Sequence, residues 1–219
     1  MKHRLLLFIT ALMLCIGARA ESTTEQVIDG LKYIIYTDQN YAVLTGNNYT
    51  QNEIVIPASI IWEGKKYPVT ELGAKCFSNC YNLFSIIIPS SVTSLGEECF
   101  YNCRNLTSVT MPSSVTSLGK RCFAECTGLT SVTIPSSVTN LGDYCFYCCS
   151  GLTSITIPSS VTSLGAWCFY NCRNLTSVTI PSSVTSLGEY CFNVCKSLTS
   201  ITIPSSVTSL GGVLFCRLP

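Results

Sequence analysis

One interval, 23 residues, recurs along most of this chain and limits what it can fold into. Pro89, Pro112, Pro135, Pro158, Pro181 and Pro204 keep that step. So do Phe77, Phe100, Phe123, Phe146, Phe169, Phe192 and Phe215, and Gly73, Gly96, Gly119, Gly142, Gly165, Gly188 and Gly211. A fixed step of this size marks stacked, near-identical units, each too short to bury a core alone. Neighbouring units must therefore supply the missing half of each core, which makes the architecture a solenoid.

One unit, Leu129 to Gly151, reads LTSVTIPSSVTNLGDYCFYCCSG. Leu129, Val132 and Ile134 follow an inward-facing strand pattern, with Thr130, Ser131 and Thr133 turned outward. Pro135 ends the strand, because it has no N–H to give to a sheet ladder. Val138 and Leu141 turn inward again, and Gly142 permits a sharp bend. Cys145, Phe146 and Cys149 then lie at spacings that suit a short helical turn with one buried side. The expected fold is a β-rich, right-handed coil with a parallel sheet on one face and short helical turns on the other.

The pattern L-T-S-[VI]-T-I-P-S-S-V-T-S-L-G-x-x-C-F-x-x-C, running over about residues 54–216, resembles the BspA-like leucine-rich repeat. The usual form of that repeat has Ala before the Phe; this chain has Cys there. The resemblance implies a leucine-rich-repeat solenoid. It also implies a bacterial secreted or surface protein, of a kind in which some members bind host matrix proteins or other microbial cells.

The two ends depart from the period. Lys2, His3 and Arg4 precede an apolar run from Leu5 to Ile16 that closes on Ala18-Arg19-Ala20. Residues 1–20 read as a signal peptide, which implies secretion or surface display and no membrane span in the mature chain. A lipoprotein reading on Cys15 is weaker, because bulky Leu14 precedes it. Residues 21–53 do not repeat; Leu31–Tyr36 and Tyr41–Thr45 read as a hairpin that forms an N-terminal β cap. The solenoid then spans 54–219. Its first unit carries nine extra residues around Glu63-Gly64-Lys65-Lys66, read as a second hairpin with Trp62 and Tyr67 over the open core. The seventh unit stops at Pro219 with Leu214 in a Cys position. Truncation, end-to-end self-association, or a lid made by Phe215 and Leu218 each account for that end.

Composition narrows the function. Charged residues are 11% of the chain and its net charge is +1, so nothing favours nucleic acid as a partner. The mature chain loses His3, the only histidine, and with it any imidazole for base catalysis or mixed Cys/His metal binding. Glu97, Glu98, Glu125, Asp143 and Glu189 form no recurring inward pair of the kind glycosidases use. No catalytic residue, cofactor or metal is assigned, and the chain is read as a non-enzyme.

Two cysteine columns climb the repeats: Cys76, Cys99, Cys122, Cys145, Cys168 and Cys191, then Cys80, Cys103, Cys126, Cys149, Cys172 and Cys195. They read as small buried hydrophobes. Disulfides between coils are the rival reading in an oxidising compartment, and zinc a weaker third. Cys148 lies outside both columns and is expected to be exposed and reactive.

Two surfaces are candidates for a ligand. Outward strand positions, among them Thr130, Thr133, Thr153 and Thr156, form a hydroxyl array suited to an extended or glycan partner. Tyr144, Trp167 and Tyr190 share one column, and Tyr101, Tyr147 and Tyr170 another, both flanking the Cys-Phe turn. Such aromatics suit an interaction surface, or else pack on each other as a ladder. Asn48, Asn105 and Asn174 begin N-x-[ST] sequences. The reading that results is an extracellular binding or adhesion module for protein or glycan, with a structural or self-assembling repeat protein, or a truncated repeat-protein product without independent function, as the alternatives.

Overall fold

The computed structural model describes residues 22–46 and 49–213. The signal-peptide reading, Cys15, Asn48, Leu214, Phe215 and Leu218 therefore lie outside the described residues.

The chain opens on three antiparallel strands: β1 Thr23–Ile28, β2 Leu31–Tyr36 and β3 Tyr41–Thr45. The sequence gives the second and third; β1 joins them as the edge strand. β2 alternates buried Leu31, Tyr33 and Ile35 with partly exposed Lys32, Ile34 and Tyr36, the period of two of a half-buried strand. From β3 onward the pairing turns parallel, because Ala42 and Leu44 lie beside Val69 and Leu72 of β6 (Lys65–Leu72).

The first coil contains β4 (Glu53–Val55) and the inserted hairpin of β5 (Ser59–Trp62) with β6. Trp62 and Tyr67 meet there at 6.3 Å between ring centroids. Each later coil contributes a short strand at the Ser-Leu step, and four of them a second one at the Thr-Ser-Val-Thr step. Those at the Ser-Leu step are β8 Ser94–Leu95, β10 Ser117–Leu118, β11 Asn140–Leu141, β13 Ser163–Leu164, β15 Ser186–Leu187 and β16 Ser209–Leu210. They continue the β1–β2–β3–β6 sheet in parallel register, residue i beside i+23. Those at the Thr-Ser-Val-Thr step make two smaller parallel sheets. One joins β4, β7 (Ser85–Ile87) and β9 (Ser108–Thr110); the other joins β12 (Ser154–Thr156) and β14 (Ser177–Thr179).

The third side of each coil corrects the sequence reading. Among the described residues no helix forms at the Cys-Phe segment. Between Gly73 and Cys80, alternate amides go to different places. Cys76, Ser78 and Cys80 donate three residues back within the coil, at 3.0–3.3 Å. Lys75, Phe77 and Asn79 donate to Glu97, Cys99 and Tyr101 carbonyls of the next coil, at 2.7–2.8 Å. A helix would need all of those amides for itself. The chain instead makes successive tight turns, with positive φ at Lys75 and Asn79 and at the matching pair in each later coil up to Tyr190 and Val194.

The glycine column is also explained differently. Gly142 and its equivalents do not take positive φ; the left-handed residues stand two places later, Tyr144 among them. Glycine is needed because coils approach closely: a Cβ on Gly188 would fall 2.3 Å from the Ala166 nitrogen. At Gly142 the nearest atom would be 3.5 Å away, an ordinary contact.

Inside, Leu129, Val132, Ile134, Val138, Leu141 and Phe146 are buried, as are their counterparts in the neighbouring coils except Met111, which is partly buried against the core. The Phe rings from Phe77 to Phe192 stack along the axis at 5.2–5.5 Å, tilted by 6° or less. Tyr49 closes the cap end of that column, 5.1 Å from Phe77. All thirteen described cysteines are free, and all but Cys148 are buried. The second column has a polar task as well: Cys103, Cys126, Cys149, Cys172 and Cys195 each donate Sγ–H to the Phe carbonyl one coil back, at 2.9–3.2 Å.

Candidate recognition face

Most positions on the two sheet sides are the same from coil to coil. Their hydroxyls are partly engaged between coils: Ser137, Ser160 and Ser183 donate to Val carbonyls, and Thr162 and Thr185 to Thr carbonyls, all one coil back. Of the proposed hydroxyl array, Thr130, Thr133, Thr153 and Thr156 are all exposed. Thr153 donates to the Thr130 carbonyl at 3.2 Å, whereas Thr133 and Thr156 make no side-chain hydrogen bond among the described residues.

The turn side differs from coil to coil. The position before the first cysteine is, in order, Lys75, Glu98, Arg121, Tyr144, Trp167 and Tyr190, all with φ of 55–59°. These side chains form one continuous ladder. Lys75 and Arg121 lie 3.5 and 3.2 Å from the Glu98 carboxylate. The Arg121 guanidinium sits 4.9 Å over the Tyr144 ring, with the Lys120 ammonium at 5.9 Å. Tyr144 stacks on Trp167 at 5.9 Å and 8°, and Trp167 on Tyr190 at 4.3 Å and 28°. Exposed ion pairs contribute ~0–1 kcal/mol and ring pairs ~0.5–1.5 kcal/mol each, so the ladder adds to stability without dominating it.

A second column lies beside it. Tyr147 stacks on Tyr170 at 5.2 Å and 7°. Tyr144 meets Tyr147 edge-on at 5.6 Å, and Trp167 meets Tyr170 at 4.7 Å. Five rings from three coils thus form one half-buried patch. Tyr101 does not join it, because Ala124 stands between it and Tyr147 in that column; its hydroxyl donates instead to Glu125 at 2.9 Å. That hydrogen bond, followed by burial, raises the Tyr101 pKa. Burial, and then the neighbouring Cys148, push Tyr147 up to about 12, so its hydroxyl stays protonated and able to donate.

Trp167 carries a stacked ring on each face, Tyr144 on one and Tyr190 on the other, whereas Tyr147 and Tyr170 stack on each other alone. Sequence reasoning found the aromatic columns but missed Lys120 and Arg121. The available signal was that Arg121 occupies Tyr144's position one repeat earlier. Cys148 is partly exposed and accepts a hydrogen bond from Asn171 Nδ2 at 3.2 Å. Among the described residues no group of three or more His, Cys, Asp or Glu side chains could hold a metal ion, and no helix is long and apolar enough to cross a membrane.

This geometry is that of a known repeat class. The family model described as the BspA-type leucine-rich repeat region matches residues 52–175 and 119–218 with six copies. The chain belongs to that family. Among solved structures it is similar to a leucine rich cell surface protein of Faecalibacterium prausnitzii, at 36% identity and a TM-score of 0.78 over 88% of this chain and 52% of that one. It is also similar to a leucine-rich-repeat protein of Treponema pallidum, at 28% identity and a TM-score of 0.79 over 90% and 91% of the two chains. The chain therefore spans about half the length of the first of these relatives. No curated protein matches this sequence.

Proposed function

We propose that this chain is a non-enzymatic recognition module, secreted or displayed at a cell surface, that engages extracellular protein or glycan through its turn face. The observation that carries this reading is where the coils differ. A sheet side that repeats identically offers a partner the same contacts at every coil and cannot define one site. The turn face, by contrast, brings Tyr144, Tyr147, Trp167, Tyr170 and Tyr190 together once, beside the Lys120 and Arg121 cations. Tyr, Trp and Arg dominate the energetics of binding surfaces. The family and the cell-surface description of the F. prausnitzii relative support the location and the class of function.

The test is equilibrium binding of the purified protein to immobilised matrix glycoproteins and bacterial glycans, beside a variant carrying Tyr144→Ala, Trp167→Ala and Tyr190→Ala. Saturable binding that the variant loses, with its fold retained by circular dichroism, is the expected result. A folded, monomeric wild-type protein that binds nothing on the panel would sink the reading and leave the self-assembling alternative in front.

A further inference from the structure

The same dipeptide occurs twice on the turn face in two different states. At Arg104-Asn105 both side chains are engaged. Arg104 Nε donates to Asn102 Oδ1 at 2.8 Å, its guanidinium lies 5.9 Å over the Tyr81 ring, and Asn105 donates to the Tyr81 carbonyl at 2.7 Å. Tyr81 is the residue one coil back in the same column. At Arg173-Asn174 the equivalent residue is Ser150. Arg173 Nε still donates to Asn171 Oδ1 at 2.8 Å, but no ring lies under its guanidinium. Asn174 makes no hydrogen bond among the described residues.

The difference comes from two coils in which the column loses its bulk. Reading up the solenoid, the pair after the second cysteine is Tyr81-Asn82, Arg104-Asn105, Thr127-Gly128, Ser150-Gly151, Arg173-Asn174 and Lys196-Ser197. Where Thr-Gly and Ser-Gly replace the longer side chains, the surface sinks into a notch of about 420 Å³ bordered by Thr127, Cys148, Ser150, Asn171, Arg173 and Asn174. That volume is near the lower end for small-molecule sites, enough for a single ring. Its border holds one cation and no carboxylate, with hydroxyls and carboxamides around it. It adjoins the Tyr147–Tyr170 column through Cys148 and Asn171, which follow those tyrosines in the chain.

We infer that this notch binds the carboxylate-bearing sugar unit of an acidic glycan. The terminal N–H groups of Arg173 match a carboxylate in a two-point, charge-assisted pair. Asn174, Ser150 and Thr127 meet the ring hydroxyls, which form hydrogen bonds that both give and accept. The inference rests on the reading of the turn face as the recognition face, and it names the ligand class there.

The experiment is a saturation-transfer NMR titration of the purified protein with glucuronate, glucose and acetate. Glucuronate binds saturably, and glucose and acetate at least about tenfold more weakly. Ser150→Arg, which refills the notch with the side chain the column carries at Arg104 and Arg173, weakens glucuronate about tenfold or more, as does Arg173→Gln. Arg104→Gln leaves it unchanged. Equal binding of acetate overturns the sugar assignment, and equal loss with Arg104→Gln overturns the site. Binding on the macromolecular panel without any glucuronate binding overturns the notch alone, whereas absence of both overturns the recognition face as well.

Discussion

Two aromatic columns climb this solenoid, and they differ in regularity and in extent: the inner rings stack at 5.2–5.5 Å within 6°, the outer ones at 5.9 and 4.3 Å with tilts of 8° and 28°. The inner one places Phe at every coil from Phe77 to Phe192, and every ring is fully buried. The outer one is aromatic in three coils only, at Tyr144, Trp167 and Tyr190, and gives way at Arg121, Glu98 and Lys75 to charge. Stacking at this spacing is a consequence of the repeat, since any residue i faces i+23 in the next coil. What differs is the requirement: an inner position must fill the core in every coil, whereas an outer one is free to change. That freedom is what lets the turn face carry the single aromatic patch on which the proposed site rests.

The inner column stands among thiols, and this gives the largest expected effect. Burial pushes Cys103, Cys145 and Cys195 up to about 12, and raises the pKa of Cys99, Cys122, Cys126, Cys149, Cys168 and Cys172 too. An unfolded thiol ionises near about 8.5. A group whose pKa is raised on folding contributes stability that is complete below its unfolded value and is lost as pH rises toward the folded one. Stability should thus hold between about pH 6 and 8 and fall steeply from about pH 9 upward, with many thiols acting together. Chemical denaturation across that range is the check; an unchanged midpoint at about pH 11 would contradict the buried, protonated columns.

Breaking the inner column itself comes next. Phe146→Ala removes a fully buried ring that stacks on both neighbours, and should cost about 3–5 kcal/mol by denaturant unfolding.

The glycine column sharpens the contrast, because its strictness varies by coil. Gly188→Ala forces a Cβ against backbone at 2.3 Å and should cost about 1–3 kcal/mol. Gly142→Ala meets nothing closer than 3.5 Å and should be near neutral. Equal costs for the two would contradict the close-approach explanation.

The outer charges should matter least. Arg121→Ala removes a half-buried ion pair and a cation–ring contact at the surface, a loss of about 1 kcal/mol that shrinks in high salt.

Much of this was legible in the chain. The alternation at Leu129-Thr130-Ser131-Val132-Thr133-Ile134 predicts which side chains are buried, and the structure buries Leu129, Val132 and Ile134 while exposing Thr130, Ser131 and Thr133. The helical turn was the failure. Cysteines four apart lie on one side of a helical turn, but two successive tight turns also return them to one side. What decides between these is where alternate amides bond, and half of them bond to another coil. That is a non-local fact, invisible within one repeat. The aromatic columns were legible because repeats align by number. The notch was not, because it is made by what Thr127-Gly128 and Ser150-Gly151 lack, and a missing side chain has meaning only once its neighbours above and below are in place.

The most direct test of the account is to measure stability and ligand binding together for Phe146→Ala and Trp167→Ala. The account predicts a separation: Phe146→Ala costs about 3–5 kcal/mol in stability, whereas Trp167→Ala, which removes a half-buried ring, costs less and abolishes binding to the partner found on the panel. A Trp167→Ala protein that is as destabilised as Phe146→Ala, or that binds its partner as tightly as wild type, would show that the outer column serves the stack and not recognition.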